Sequence, residues 1–228
     1  MTLLRFKPDA TEDELRCAIV EAGRIAYERH LLTSNDGNLS VRLDDERILI
    51  TPSGLCKGRL APDDLLIMDM QGTIVRPAAD PRLKSTTETP MHLEVYRHRP
   101  KVRAVIHAHP PYAIALTVAG RPLRLDVLPE VMLGLGEVPT TAYATPSSEE
   151  DAFAIRDLID NHEAILLRQH GSLTVGIHLD EAVIHLERLE LAAMVLVLAE
   201  AMGQINTLSP EAMTKLRAMR ANFVSLSR

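Results

Sequence analysis

Three pairs of short apolar runs, each pair joined by a few polar residues, most constrain the fold of this chain. They are NLSVRL with RILIT (38–43 and 47–51), the two halves of LLIMDMQGTIV (65–75), and AILLRQHG with SLTVGI (164–177). Each run has the length and composition of a β-strand, and a short polar turn can join only antiparallel strands. The sequence therefore predicts a sheet built from hairpins.

Helical segments separate these hairpins. Thr11 and Glu14 fit a capping box, and apolar residues at helical spacing follow, which predicts a helix over about residues 12–31. Further helices are expected at MHLEVYRHR behind Pro90, PPYAIALTVA, SSEEDAFAIRDLIDNH, Leu179 to Met202 and after Ser209, and further strands at VRAVIHAH and TTAYATP. We therefore expect an α/β fold in one domain (1–228), with a central, mostly antiparallel sheet and helices on both faces.

Composition disfavours several classes of protein. The 228 residues carry a formal charge of −6, include no Trp and show no cluster of Lys and Arg, which argues against a nucleic-acid partner. The two cysteines, Cys17 and Cys56, favour a reducing cytoplasm, with Cys17 packed as a small apolar residue. The first fifteen residues lack the apolar core of a secretory signal. LELAAMVLVLAEAM (189–202) is too short to span a membrane and predicts a buried helix.

Two histidines end one of the predicted strands, in AVIHAHPP (104–111). Side chains alternate between faces along a strand, so His107 and His109 are expected to point to the same side. Two adjacent imidazoles chelate a transition metal well, and zinc is the default ion. A pair of surface histidines is the alternative. However, the apolar VRAVI before them leads into a core, where unpaired imidazoles would be costly.

A catalytic zinc ion takes three protein ligands and keeps one position open. His170 is the best candidate for the third ligand, because it follows the apolar AILLRQ and precedes Gly171, where an interior strand meets a turn. The other histidines are expected elsewhere. Loops or caps are predicted for His162 and His178, and surface or interface faces of helices for His30, His92, His98 and His185.

A carboxylate and several hydroxyls precede Pro90 in KSTTETPMHLEVY (84–96). Glu88 is expected in the first turn of the predicted helix. Four hydroxyl residues lie around it where backbone N–H groups are free: Ser85, Thr86, Thr87 and Thr89. Such a site can cradle an anion such as phosphate. Taken locally, an N-cap with an acidic residue that complements the helix dipole is the more common arrangement.

Together these stretches resemble the class II aldolase/adducin superfamily, and within it the L-fuculose-1-phosphate aldolase type. DGNLSVR, LITPSG, TTETPMHLEVYRHRP, AVIHAHPPYA, AYATP and LLRQHGSLTVG occur in the family's order and spacing between about Leu15 and Met202. The resemblance implies a homotetramer with active sites at subunit interfaces. It also implies a zinc-dependent aldolase that cleaves a phosphorylated sugar to dihydroxyacetone phosphate and an aldehyde through an enediolate. Mn²⁺ or Co²⁺ are alternative ions.

The resemblance further implies roles for individual residues. The zinc ligands are His107, His109 and His170. Glu88 is the catalytic acid/base, which can also occupy the metal when substrate is absent. The phosphate pocket is formed by seven residues: Gly37, Asn38, Thr51, Ser53, Gly54, Thr86 and Thr87.

One departure concerns a tyrosine with which a neighbouring subunit of the family aldolases protonates the departing aldehyde. Its position falls near Leu128, in RLDVLPEVMLGLGEVP (124–139), and no tyrosine follows before Tyr143. Glu130 is a possible substitute, and a structural or interface role for Glu130 is the alternative. This departure leaves the aldol reaction itself open.

Three other functions share this fold. A metal-dependent decarboxylase of the superfamily depends less on the tyrosine and stays open as the main alternative. A pentulose-phosphate 4-epimerase is disfavoured, because Glu88 and Met132 stand where epimerases typically have aspartates. An adducin-like module that has lost the metal is disfavoured by the three histidines and Glu88.

Overall fold

The computed structural model describes residues 10–226 of the chain. The strands are β1 (Asn38–Arg42), β2 (Arg47–Ile50), β3 (Leu66–Asp69), β4 (Ile74–Arg76), β5 (Ala104–Ala108), β6 (Ala164–Leu167) and β7 (Gly171–Gly176). The helices are α1 (Glu12–Glu28), α2 (Thr89–His98), α3 (Pro111–Val118), α4 (Pro129–Gly134), α5 (Glu149–Ala154), α6 (Arg156–Ile159), α7 (Leu179–Met202) and α8 (Pro210–Leu226).

All seven of these strands form one sheet, in the order β4-β3-β2-β1-β5-β7-β6. Every neighbouring pair of strands is antiparallel. The three predicted hairpins are β1–β2, β3–β4 and β6–β7, and β5 lies between the first and the last of them. The predicted antiparallel α/β fold is therefore confirmed.

Helices cover both faces of the sheet, because strand side chains alternate in direction. On β5, Ala104, Ile106 and Ala108 belong to the core that α1 and α7 cover. Val105 belongs to the opposite core, which α2, α5 and α6 cover. His107 is two residues from Val105 and therefore lies on the α2 face of the sheet.

Three predicted elements differ from the structure. Helix α1 has the predicted capping box but ends at Glu28 rather than near 31, because the chain turns at His30 with a φ of 59°. The helix predicted at SSEEDAFAIRDLIDNH is divided into α5 and α6. The strand predicted at TTAYATP is wrong, since only a single bridge joins Thr140 to Leu166. Prolines at 139 and 146 bound that segment, and proline cannot donate to a strand ladder.

Helix α7 has the predicted bounds, but its second half is not buried on all sides. Leu191, Leu198 and Met202 are exposed, whereas Ala192, Ala193 and Leu196 pack inward. Among the described residues, no helix combines the length and apolar character that a membrane span requires.

The predictions about cysteines and the N-terminus have mixed outcomes. Cys17 is exposed, so its predicted apolar packing is wrong; the buried face of α1 consists of other residues, such as Leu15, Ile19 and Ala22. Cys17 and Cys56 both carry free thiols. The cytoplasmic location stays a prediction.

The predicted lack of a secretory signal concerns a segment whose first nine residues lie outside the described range.

Candidate metal centre

The carboxyl end of β5 and the turn between β6 and β7 bring three histidines together. His107 is the fourth residue of β5 and pairs with Leu173 of β7, while His109 follows the end of the strand. His170 lies in the β6–β7 turn, directly after Gln169, whose φ of 55° reverses the chain. The centroids of the three rings are 4.7 to 5.0 Å apart. The predicted convergence of these side chains is therefore present.

The nitrogen atoms of the three rings face one common point. His107 Nε2 and His109 Nε2 are 2.9 Å apart, and one ligand atom from each of the three histidines lies within 4.8 Å of the others. Glu88 Oε1 adds an oxygen, 3.4 Å from His107 Nε2 and 3.2 Å from His170 Nε2. Three imidazoles and a carboxylate form a donor set that suits a divalent transition metal such as zinc.

Burial keeps two of these imidazoles in the form that binds metal. His107 is completely buried, which lowers its pKa to about 4 although Glu88 acts in the opposite direction. His107 Nδ1–H donates to the backbone oxygen of Ser172 at 3.0 Å, so its Nε2 keeps the lone pair. Burial also lowers the pKa of His109. Both rings are therefore neutral at pH 7, and little proton competition opposes a metal ion there.

Asp151 lies behind His170, and it was not predicted from the sequence. Its Oδ1 is 3.7 Å from His170 Nδ1, and its side chain is buried. Asp151 Oδ2 and His170 Nδ1 are both buried without a hydrogen-bond partner. Burial lowers the pKa of His170, but Asp151 and Glu88 outweigh it and raise that pKa to about 9. A carboxylate behind a metal-binding histidine is a common device for orienting the ring.

Asp151 is not predictable as a site residue from the sequence, because it stands in an acidic run, SSEEDAF, that is typical of the start of a solvated helix. Three consecutive acidic residues on a helix point in different directions, so one of them can face the core. Only the tertiary position of α5 beside the β6–β7 turn singles out Asp151.

Glu88 immediately precedes α2, at its N-cap position rather than in its first turn. Its side chain makes no capping hydrogen bond, so the alternative of a simple cap does not describe it. Instead, Glu88 Oε2 accepts a 2.6 Å hydrogen bond from Asn38 Nδ2. Burial would raise the pKa of Glu88, but His107, His170 and the Asn38 amide together hold it well below the usual range. Glu88 is therefore an ionised, partly buried carboxylate beside the histidines.

The segments predicted for phosphate binding are neighbours in the fold. Residue 51 follows β2 beside Leu39 of β1, and a bridge joins Pro52 to Ser85. Gly37 abuts the end of β5, since a Cβ there would lie 2.8 Å from the backbone oxygen of His107, and its φ of 73° favours glycine.

These phosphate candidates fall into two groups. Three of them are buried and hydrogen-bonded within the protein: Asn38 to Glu88, Thr51 to the N–H of Leu39, and Thr86 to Asn38. Gly37 is buried as well, and the remaining three candidates are exposed at the surface: Ser53, Gly54 and Thr87. The exposed group is the one that a ligand can reach, and the Thr87 hydroxyl within it donates to Ser147 Oγ at 2.8 Å.

Two of the remaining histidines are not where they were expected. His92 and His185 were predicted on helix surfaces, but His92 is completely buried and His185 is only 5% exposed. His92 lies one helical turn after Glu88, and this i, i+4 spacing was the available signal for its proximity to the site. His185 Nδ1–H donates to the backbone oxygen of Val175 at 2.7 Å, which satisfies it in the core.

The segment where the family tyrosine was sought forms helix α4. Leu128 is its N-cap residue and is half-buried, and Met132 is buried. Glu130 is exposed on the first turn and pairs with none of the described site residues. No described contact places a tyrosine hydroxyl beside Glu88 or the three histidines.

Comparison with known proteins agrees with this geometry. Residues 17–197 match the family described as Class II Aldolase and Adducin N-terminal domain. The chain is 33% identical over 189 residues to a 3-oxo-tetronate 4-phosphate decarboxylase of Haemophilus influenzae, covering 80% of this chain and 85% of that protein. It is 34% identical over 167 residues to an L-fuculose phosphate aldolase of Methanococcus maripaludis, covering 73% and 87%.

A solved structure of an L-fuculose 1-phosphate aldolase superposes with a TM-score of 0.83 at 28% identity, covering 94% of this chain and 98% of that one. The family match spans most of the chain and includes Glu88 and all three histidines. The chain therefore belongs to the class II aldolase and adducin family.

Proposed function

We propose that this protein is a zinc-dependent class II aldolase that cleaves a small phosphorylated sugar through an enediolate. The observation that carries the proposal is the convergence of His107, His109 and His170, with Glu88 Oε1 within 3.4 Å of two of these imidazoles. A divalent ion held there would supply a Lewis acid that stabilises negative charge developing on substrate oxygens.

Glu88 is the group that moves the proton. It is ionised, and its Oε1 lies 3.4 Å from His107 Nε2 and 3.2 Å from His170 Nε2. A carboxylate in that position can remove a proton from carbon or return one to it. An ion held by the three imidazoles would anchor substrate oxygens beside Oε1, which would reduce the entropic barrier to the transfer.

The exposed donors of the second group of phosphate candidates support a phosphorylated substrate. Ser53, Gly54 and Thr87 lie on segments that run side by side, and Ser53 N–H already joins them by donating to Lys84 O at 2.9 Å. Hydroxyls and backbone N–H groups are effective ligands for phosphate. Binding energy from that group would orient the rest of the substrate for reaction.

The test is proton exchange from dihydroxyacetone phosphate in deuterated water. Zinc-loaded protein should exchange the α-proton, and the Glu88→Gln variant should bind zinc without exchange. A zinc-loaded wild-type protein that exchanges no proton would refute the aldolase activity.

A decarboxylase is the second candidate, and one observation favours it. No tyrosine occurs between Tyr112 and Tyr143, and the segment where the aldehyde-protonating tyrosine was sought has Leu128 at the N-cap of α4 and Glu130 in its first turn. A decarboxylase has no aldehyde oxygen to protonate, so it does not need that residue. Release of carbon dioxide from a phosphorylated 3-oxo acid, without exchange from dihydroxyacetone phosphate, would support this candidate over the aldolase.

We expect the protein to assemble as a homotetramer with its active sites at subunit interfaces. Ile184, Leu191 and Leu198 are exposed at seven-residue spacing and form an apolar stripe on α7, which supports a helix-mediated contact. Light scattering should give a tetramer for the wild-type protein and a smaller species for Leu191→Glu. A monomeric wild-type protein would contradict this expectation.

A further inference from the structure

A line of buried hydrogen bonds runs between α2 and β1 and ends on Glu88. Tyr96 OH is 2.8 Å from Ser40 Oγ, which is 2.6 Å from His92 Nδ1. His92 Nε2 is 2.6 Å from Asn38 Oδ1, and Asn38 Nδ2 is 2.6 Å from Glu88 Oε2. The four residues behind Glu88 are at most 2% exposed, so the line is shielded from water. We call these five residues the Glu88 relay.

The direction of every hydrogen bond in the Glu88 relay follows from its two ends. Asn38 Nδ2 donates to Glu88 Oε2 at 2.6 Å and lies 3.2 Å from Thr86 Oγ1, so the NH₂ group of Asn38 is the one that faces Glu88. Asn38 Oδ1 then faces His92, which must carry its proton on Nε2. His92 Nδ1 consequently accepts from the hydroxyl of Ser40.

At the far end, the Ser40 hydroxyl uses its only hydrogen to donate to His92 Nδ1. It must therefore accept a hydrogen bond from Tyr96 OH. Burial raises the pKa of Tyr96, which keeps this phenol protonated. Thus one consistent assignment satisfies the whole line, with His92 neutral. Burial lowers the pKa of His92 to about 3, in agreement with that assignment.

The relay leaves the two oxygens of Glu88 in different environments. Oε2 is occupied by the Asn38 amide, whereas Oε1 faces His107 and His170. If Asn38 were turned over, its carbonyl oxygen would face the carboxylate and repel it. The rest of the line opposes this rotation, because a turned amide would force the His92 proton onto Nδ1 and leave one hydroxyl hydrogen of Ser40 or Tyr96 without an acceptor in the line.

We infer that His92 and Asn38 are positioning residues that hold Glu88 so that Oε1 is the oxygen that exchanges a proton with substrate. The proton transfer itself rests on the proposed function, but the orientation of the relay does not. The Glu88 relay orients the carboxylate of Glu88 and does not carry protons to solvent. Its last residue, Tyr96, is buried, and the Arg42 guanidinium covers the Tyr96 ring at 4.8 Å from the centroid. The line therefore has no outlet to water.

The first measurement determines the tautomer of His92, and it does not depend on enzymatic activity. Long-range proton–nitrogen NMR correlations distinguish the two neutral tautomers of histidine, and the His92 signals are those that disappear in His92→Gln. In the zinc-loaded wild-type protein, His92 should be neutral with its proton on Nε2 from about pH 5 to 8. A proton on Nδ1, or a charged ring at pH 7, would overturn the inference.

The second measurement reads the effect on turnover. His92→Phe removes the donor to Asn38 and should lower kcat for α-proton exchange about ten- to a hundredfold, with KM and zinc content unchanged. His92→Gln restores an N–H donor near the position of Nε2, so most of the lost kcat should return. His185→Phe removes another buried histidine outside the relay and should keep the wild-type kcat.

Wild-type kcat in His92→Phe would show that His92 only fills space. Equal loss of kcat in His92→Phe and His92→Gln would show that the N–H donor does not position Glu88, and loss of zinc would place the effect on the metal site. Each of these results would refute the positioning role. If the wild-type protein exchanges no proton, the proposed function fails while the tautomer measurement still decides the orientation of the relay.

Discussion

Gly171 is the position at which the smallest change in sequence should have the largest effect on the metal site. It follows His170 and begins β7, beside the last residues of β5. A Cβ added at Gly171 would lie 2.4 Å from the backbone oxygen of Ala108, 2.9 Å from His109 Cδ2 and 3.2 Å from His107 Cε1. The side chain of alanine therefore meets the segment that carries two of the three histidines.

The size of the effect follows from these distances. Non-bonded heavy atoms prefer to lie about 3.5 Å apart, so the Cβ and the Ala108 oxygen would have to separate by about 1 Å. Because that oxygen belongs to the backbone of β5, the strand itself must move. We expect Gly171→Ala to cost about 1–3 kcal/mol in the free energy of unfolding.

The same displacement acts on the imidazoles. A metal site tolerates errors of about 0.5 Å in the position of its ligands, and a shift of about 1 Å exceeds this. The zinc affinity of Gly171→Ala should fall at least about tenfold, which corresponds to about 1.4 kcal/mol. Competition with a chromophoric chelator measures this affinity on protein without a histidine tag.

Gly120→Ala is the matched control. Gly120 has a φ of 66°, so alanine there is strained, but nothing lies within 4 Å of the added Cβ. This variant should lose stability and keep the zinc affinity of the wild-type protein. If Gly171→Ala also binds zinc as tightly as the wild-type protein, the packing of β7 against the histidines does not position the ligands, and the reasoning is wrong.

Three further predictions concern single side chains. Glu88→Gln should retain one zinc ion per chain and lose at least about a hundredfold in kcat; normal turnover would remove Glu88 from the mechanism. Asp151→Asn should weaken zinc binding about ten- to a hundredfold by releasing the His170 ring, and unchanged affinity would show that Asp151 does not orient it. The folded-state pKa of His92, about 3, lies below its unfolded value of about 6.5, so its contribution to stability is complete above pH 6.5 and is lost as pH falls towards 3. The free energy of unfolding, measured with urea at two pH values, should fall more steeply with falling pH for the wild-type protein than for His92→Gln. The difference in slope should be up to about 1.4 kcal/mol per pH unit, and equal slopes would contradict this.

The fold was largely predictable because its hairpins are local. Each of the three strand pairs is joined by a short turn, so pairing and direction follow from neighbouring residues alone. The insertion of β5 between β1 and β7 depends on contacts across 60 or more residues, such as Ser40 with Val105, and it enters only through the resemblance to the family.

The residues of the candidate site likewise divide into those that local sequence predicts and those that only tertiary packing brings to the site. His107 and His109 stand two residues apart at the end of one strand, and His170 follows another, so strand geometry and apolar flanks were sufficient to propose them. His92 and Asp151 were missed as site residues because their helices show ordinary amphipathic patterns. Which polar residue of a helix faces a neighbouring strand is decided by packing, as for His92 between Ser40 and Asn38.

X-ray absorption at the zinc edge tests the central claim most directly, because it counts the imidazoles bound to the ion in the purified, untagged protein. We predict one zinc ion per chain, bound by three imidazole nitrogens at about 2.0–2.1 Å and otherwise by oxygen ligands. An ion bound by fewer than three imidazoles, or a protein that binds no zinc when it is supplied, would contradict the account.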